Sequence, residues 1–193
     1  MSDQLWLPGF DDPVAKYPNI YFALRPDAQF ATHIARAAVR DRDLFSLQGK
    51  LIEAPRLHIS LLGIHDPRMR PDKMIAGLRA IGESVREAPF EIHFDRIVSF
   101  RGGKQKPRVL VSDDGGAAIK SFQRAIIGVL ADAGVSLSVR REFTPHMTLM
   151  YATTAISEVP IEPIRWMATR FALIESVIGD RRHNVRGEWA LRA

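Results

Sequence analysis

Apolar residues recur along this chain with two periods, and each change of period marks an element. NIYFAL (19–24) is a short, nearly continuous apolar run with β-branched and aromatic members, and it predicts a strand. Asp27, after Pro26, is placed to cap a helix running to about residue 45, with Phe30, Ile34, Ala37 and Leu44 along one face. RLHISLLG (56–63) returns to the strand pattern. Asp72 is expected to cap a second helix, in which Met74, Leu78, Ile81 and Val85 keep helical spacing.

FEIHFDRIVSF (90–100) and PRVLVS (107–112) read as a hairpin around RGGKQK. After DDGG, a third helix carries Ile119, Phe122, Ile126, Val129 and Ala133 on one face, with Gly134 as its stop. FTPHMTLMY (143–151), RFALIESVI (170–178) and VRGEWALR (185–192) supply further strands. Strands and helices alternate, but some strands are joined by turns too short for parallel crossovers. The expected fold is therefore α+β with largely antiparallel sheets. Residues 1–18 contain three prolines and hold no sustained period, so they read as a flexible tail ahead of one folded domain, 19–193.

Two of these strands share an unusual feature. RLHISLLG and FTPHMTLMY each set a histidine and a hydroxyl residue two apart inside an apolar run. Side chains alternate faces along a strand, so His58 and Ser60 share one face while Leu57, Ile59 and Leu61 form the other. His146 and Thr148 likewise oppose Pro145, Met147 and Leu149. The surroundings match too: helix, then strand, then a polar or proline-rich exit, a pattern that suggests internal pseudo-symmetry with one motif in each half.

Two imidazoles and two hydroxyls facing one groove suit in-line displacement at phosphorus. A neutral ring takes a proton from water while a charged ring gives one to the leaving oxygen, and both states are accessible near neutral pH. Ser60 and Thr148 can donate to the non-bridging oxygens, where charge grows in the transition state. Neither motif holds a carboxylate and nothing resembles H-E-x-x-H, so the pair makes a poor zinc set.

Composition narrows the setting. With 193 residues, 46% hydrophobic and 25% charged, the chain is long enough to bury its own core. The 27 basic and 22 acidic side chains leave +5, a mild preference for polyanions. There is no cysteine, which excludes disulfides, thiolate nucleophiles and cysteine-bound zinc. No run of 18 apolar residues occurs, and the N-terminus lacks a basic segment followed by an apolar one. The expectation is no membrane span, no secretory signal and a cytoplasmic address.

The two histidine motifs closely resemble the paired H-x-T/S signatures of the two-histidine (2H) phosphoesterases. They are most similar to the bacterial RNA 2′,3′-cyclic phosphodiesterases, historically called 2′-5′ RNA ligases. The similarity runs from about Asn19 to the C-terminus, and ALIES followed by EWALR is also like that branch. It implies a bilobal, pseudo-symmetric fold with helices outside and both motifs lining a central groove. It also implies opening of an RNA terminal 2′,3′-cyclic phosphate to a 2′-phosphate, without metal or nucleotide cofactor and with 2′-5′ ligation as a side activity. By position, His58 is the general acid for the 3′ oxygen and His146 the general base on water. Their near-symmetry leaves that assignment reversible. Ser60 and Thr148 take the phosphate-binding roles.

Two positions depart from the family pattern. Many members carry an arginine just after the second motif, where this chain has Tyr151, and a tyrosine common near the end of the loop that follows ALIES is replaced around His183. Both bear on how the nucleoside is held. The implied partners are RNA ends or cyclic-phosphate nucleotides, and the expected state is a monomer. Two other readings stay open: the same site acting on small cyclic nucleotides or 2′-5′-linked ends, and a non-catalytic RNA- or nucleotide-binding module.

Candidate RNA contacts are Arg56, Arg140, Arg141 and Tyr151, although Phe143 and Tyr151 fall on the core face of a regular strand. Arg101, Lys104, Lys106 and Arg108 around the Gly102–Gly103 turn either steer a backbone or form a solvated tip, and Arg181, Arg182 and Arg186 are unassigned. His33 and His93 read as structural or surface, and His65 as a rim residue. In the tail, QLWLPGF faintly resembles peptides that dock on bacterial sliding clamps, which suggests a tail-mediated protein partner.

Overall fold

The computed structural model describes residues 18–64, 69–101, 103–114, 116–135, 143–177 and 183–193. In chain order the elements are β1 (Asn19–Leu24), α1 (Ala28–Leu44), β2 (Gly49–Leu51), a 3-10 turn (Ala54–Arg56), β3 (Ile59–Ile64), α2 (Pro71–Ser84), β4 (Phe90–Ser99) and β5 (Lys106–Val111). There follow α3 (Ala117–Asp132), β6 (Met147–Ala152), β7 (Val159–Ala168), β8 (Arg170–Ser176) and β9 (His183–Ala190). The proposed tail, the clamp-like QLWLPGF, His65, Arg140, Arg141, Arg181 and Arg182 lie outside the described residues.

The helices start and stop for local reasons. The Asp27 carboxylate accepts from the Phe30 N–H at 2.8 Å and caps α1 as expected. Gly134 takes φ +75°, letting the Val135 N–H return to the Leu130 carbonyl at 2.9 Å and close α3. Asp72, by contrast, is not the cap of α2. Pro71 already supplies the fixed φ of a first helical residue and needs no N–H partner, so the cap position falls on Arg70. Asp72 sits in the first turn, where a negative charge suits the helix dipole.

The sheet runs β7-β4-β5-β6-β3-β1-β8-β9, with β2 on β6, and every pairing is antiparallel. The expected α+β, largely antiparallel architecture is what forms. It divides into two four-strand halves, β6-β5-β4-β7 and β3-β1-β8-β9. Among the described residues, the ladder between the halves consists of one pair, Ile59 opposite Met147.

The main core lies between the sheet and the helices. Ile20, Phe22 and Leu24 of β1, Leu57 and Ile59 at the first motif, Met147 and Leu149 at the second, and Phe171 and Leu173 of β8 all enter it. Alternation then sends Tyr21, Ala23, Ala172 and Ile174 to the opposite face, where they form a separate small cluster. No helix among the described residues is long and apolar enough to cross a membrane.

One charged pair is part of the interior. Arg108 is fully buried and bonds both Asp41 oxygens of α1 at 3.1 Å, as well as the carbonyls of Ile97 and Ser157 at 3.3 Å. The β4–β5 hairpin forms, but the reading of Arg108 as a turn cation is corrected: Arg108 is a structural clasp, while Arg101 and Lys104 are exposed. Arg186 is also occupied, its Nε bonding the Glu175 carboxylate at 2.8 Å.

Candidate functional site

Both motifs lie on the sheet face opposite the helices, at the seam between the halves. Continuing the antiparallel register one residue either side of the Ile59–Met147 pair sets His58 opposite Thr148 and His146 opposite Ser60. Each imidazole therefore faces the other motif's hydroxyl.

Each histidine is oriented the same way. His58 Nδ1 donates to the Arg56 carbonyl at 2.7 Å, and His146 Nδ1 donates to the Thr144 carbonyl at 2.8 Å. A carbonyl can only accept, so both neutral rings carry their proton on Nδ1 and keep Nε2 as the basic nitrogen. His58 Nε2 accepts from the Ser60 hydroxyl at 3.1 Å. The T-shaped Phe100 ring, 4.9 Å away between centroids, buttresses His146.

The symmetry extends one step further. In β3 the pairing with β1 skips Leu61, and in β6 the pairing with β5 skips Leu149, so each motif is followed by a β-bulge directly after its hydroxyl residue. The bulge changes which residues share a face. Past Leu149, Tyr151 turns to the side of Thr148, hydrogen-bonds it and lies near the Arg56 charge. Tyr151 also packs against the core, as a regular strand would place it, and the bulge adds its contact with Thr148. Phe143 does pack against the core.

Arg56 is brought to the same place, and with it come residues that the motifs alone do not indicate. Tyr21 stacks at a tilt on His58 with centroids 5.4 Å apart, and His183, the first residue of β9, meets His58 edge-on at 5.0 Å. Tyr21 Oη and Arg56 Nη2 approach His183 Nε2 at 3.4 and 3.5 Å. Arg25, just past β1, bonds the Pro55 carbonyl at 3.2 Å and adds charge to the cluster. The signal for Tyr21 is its place as the polar-tipped member of NIYFAL on the alternate face. His183 needed the β8–β9 pairing, since nothing nearby in sequence ties it to His58.

Burial lowers His58 to about 4, with His146, Arg56 and Arg25 adding repulsion against the opposing help of the Arg56 carbonyl. Burial likewise lowers His146, opposed by its bond to Thr144, and lowers His183 to about 3 with help from His58 and the two arginines. Burial pushes the Tyr21 and Tyr151 hydroxyls up, so both remain protonated donors. The set can exchange protons, donate hydrogen bonds and offset negative charge. Separately, His93, Asp113 and Asp114 bring one donor atom each within 4.8 Å of one another; Ser112 already bonds His93 and Asp114.

Comparison with known proteins agrees with this geometry. The family model of the 2′-5′ RNA ligase superfamily matches residues 26–179. The chain belongs to that superfamily, the 2H phosphoesterases. Solved structures share its fold: E. coli LigT complexed with 3′-AMP is 20% identical with a TM-score of 0.69, covering 92% of this chain and 100% of LigT. TT0787 of Thermus thermophilus is 20% identical with a TM-score of 0.67, covering 91% of this chain and 98% of its own. A crystal structure described as a phosphoesterase is 20% identical with a TM-score of 0.65, covering 92% and 100%. Among curated proteins, none matches this sequence.

Proposed function

We propose that this superfamily member hydrolyses RNA terminal 2′,3′-cyclic phosphates to 2′-phosphates, with His58 and His146 as a proton-transfer pair and no metal in the step. One observation carries the reading: two imidazoles, each with Nδ1 tied to a carbonyl, flank the single residue pair, Ile59–Met147, at the seam of the two halves. Binding alone needs no such couple. The structural neighbour LigT has been crystallised with 3′-AMP and with ATP, which is in keeping with a nucleotide in this groove.

In the proposed step the cyclic phosphate lies between the two rings. Neutral His146 takes a proton from water as the water oxygen bonds phosphorus, and the P–O3′ bond breaks. Protonated His58 gives its proton to O3′, leaving a 3′-hydroxyl and a 2′-phosphomonoester. Ser60 and Thr148 hold the non-bridging oxygens as their charge grows. The pseudo-symmetry permits the reverse assignment, and the direction chosen here rests on the family resemblance. The setting we infer is RNA processing in the cytoplasm.

Product identity tests the reading. Phosphorus NMR of a cyclic-phosphate oligonucleotide after turnover is expected to show a 2′-phosphate alone. A 3′-phosphate would overturn the regiochemistry, and no product from folded protein would overturn the reaction.

A further inference from the structure

The two sides of the site are not equivalent. Against His146 stands Phe100, while Tyr151, bonded to Thr148, lies near the Arg56 charge. Around His58 stand Arg56, Arg25, Tyr21 and His183, a set of donors with no carboxylate among them. Pseudo-symmetric catalysis does not require that surplus.

The surplus is also unmet. Arginine only donates, so its approach to His183 Nε2 is favourable only when Nε2 accepts, and the ring proton then sits on Nδ1. That Nδ1 is buried and has no hydrogen-bond partner among the described residues. Arg56 Nε–H is likewise buried and without an acceptor among them. A buried donor left unpaired is destabilising, and two beside one another mark a place suited to oxygen acceptors that the described residues do not provide. Meanwhile the Arg56 carbonyl holds His58, so the residue that orients the catalytic ring also presents the guanidinium.

We infer that Arg56 and His183, with Arg25 and Tyr21, form a second anion subsite that takes a further phosphate of the substrate on the His58 side of the scissile one. This rests on the cyclic-phosphate reading and deepens it. The His58 and His183 rings meet edge-on with centroids 5.0 Å apart, so an anion held by His183 lies beside the one at His58. In a nucleoside with a 2′,3′-cyclic phosphate, the next phosphate is the one on the 5′ oxygen. It is a monoester in a small nucleotide and a diester in an RNA chain; both offer the same oxygens.

Binding of product-like ligands tests this without turnover. Titration calorimetry would compare adenosine 2′-monophosphate, adenosine 2′,5′-bisphosphate, and a diadenosine dinucleotide with a 3′-5′ diester and a terminal 2′-phosphate. Charge-assisted hydrogen bonds predict that the second phosphate strengthens binding by at least about tenfold. The gain should shrink severalfold in His183→Phe and in Arg56→Gln. A gain with the bisphosphate alone assigns the subsite to small nucleotides, and a gain with the dinucleotide assigns it to RNA. Equal affinity of wild type for all three ligands overturns the subsite even if neither variant folds. A gain that survives in both folded variants overturns the residue assignment. If the gain is present but cyclic phosphates are not hydrolysed, the reaction fails and the subsite stands.

Discussion

Ile59 lies directly opposite Met147, and this one pair makes the two catalytic candidates near-equivalent. Because both residues point into the core, the neighbours on either side point together to the open face. His58 then faces Thr148, and His146 faces Ser60. The carbonyl anchors repeat the relation, each two residues before its histidine.

The hydroxyl opposite each ring has a testable share of the work. Thr148→Val keeps the shape but removes the donor to the phosphate oxygens, and is expected to lower kcat by about ten- to a hundredfold. Tyr151→Phe removes the hydroxyl bonded to Thr148 but leaves the Thr148 donor in place, and should cost less, within about fivefold. Steady-state kinetics on one cyclic-phosphate substrate would order the two. A Tyr151→Phe defect exceeding that of Thr148→Val would contradict this division of roles.

The pH profile follows from the depressed histidines. Turnover needs one ring charged and the other neutral. In the free protein His58 is held at about 4 and His146 below its ordinary value, so both are neutral at pH 7. The singly protonated form therefore grows as pH falls, and kcat/KM should rise from pH 8 toward pH 6 by up to about tenfold per unit. A profile that climbs with pH over that range would mean the pair does not act as acid and base.

The buried clasp between β5 and α1 predicts a stability effect. Asp41→Ala leaves the Arg108 charge interior and uncompensated, and should destabilise the protein by about 3–5 kcal/mol in urea unfolding. Combining it with Arg108→Met should recover part of that loss, because the double change removes both charges. A double variant no more stable than Asp41→Ala would show that the remaining Arg108 contacts, to Ile97 and Ser157, dominate.

Much of this was legible because period and chemistry coincide. The alternation of Leu57, Ile59 and Leu61 against His58 and Ser60 is visible in the letters, and strands form there, each beginning one residue after its histidine, with Arg56 in a 3-10 turn. The helical stripes of α1, α2 and α3 were equally plain. β7 was not, since Pro160 and Pro163 argue against a strand; among the described strands β7 is an edge, and its pairing with β4 is irregular between Phe94 and Arg96, where prolines are tolerated. Tyr151 packs on the core as its place in the strand suggests, but its bond to Thr148 was not legible, because a bulge leaves no mark in composition. Arg108 looked like one more charge near a polar turn, and only the position of Asp41, 67 residues earlier, shows why it is buried. His183 depends on the same kind of long-range pairing.

The most direct test of the central claim is hydrolysis of an RNA oligonucleotide ending in a 2′,3′-cyclic phosphate, measured in EDTA, by wild type, His58→Ala and His146→Ala. The account predicts turnover by wild type and a loss of at least about a hundredfold in each variant, with unfolding curves showing that both remain folded. Folded wild type without turnover, or either variant retaining near-full rate, would contradict it.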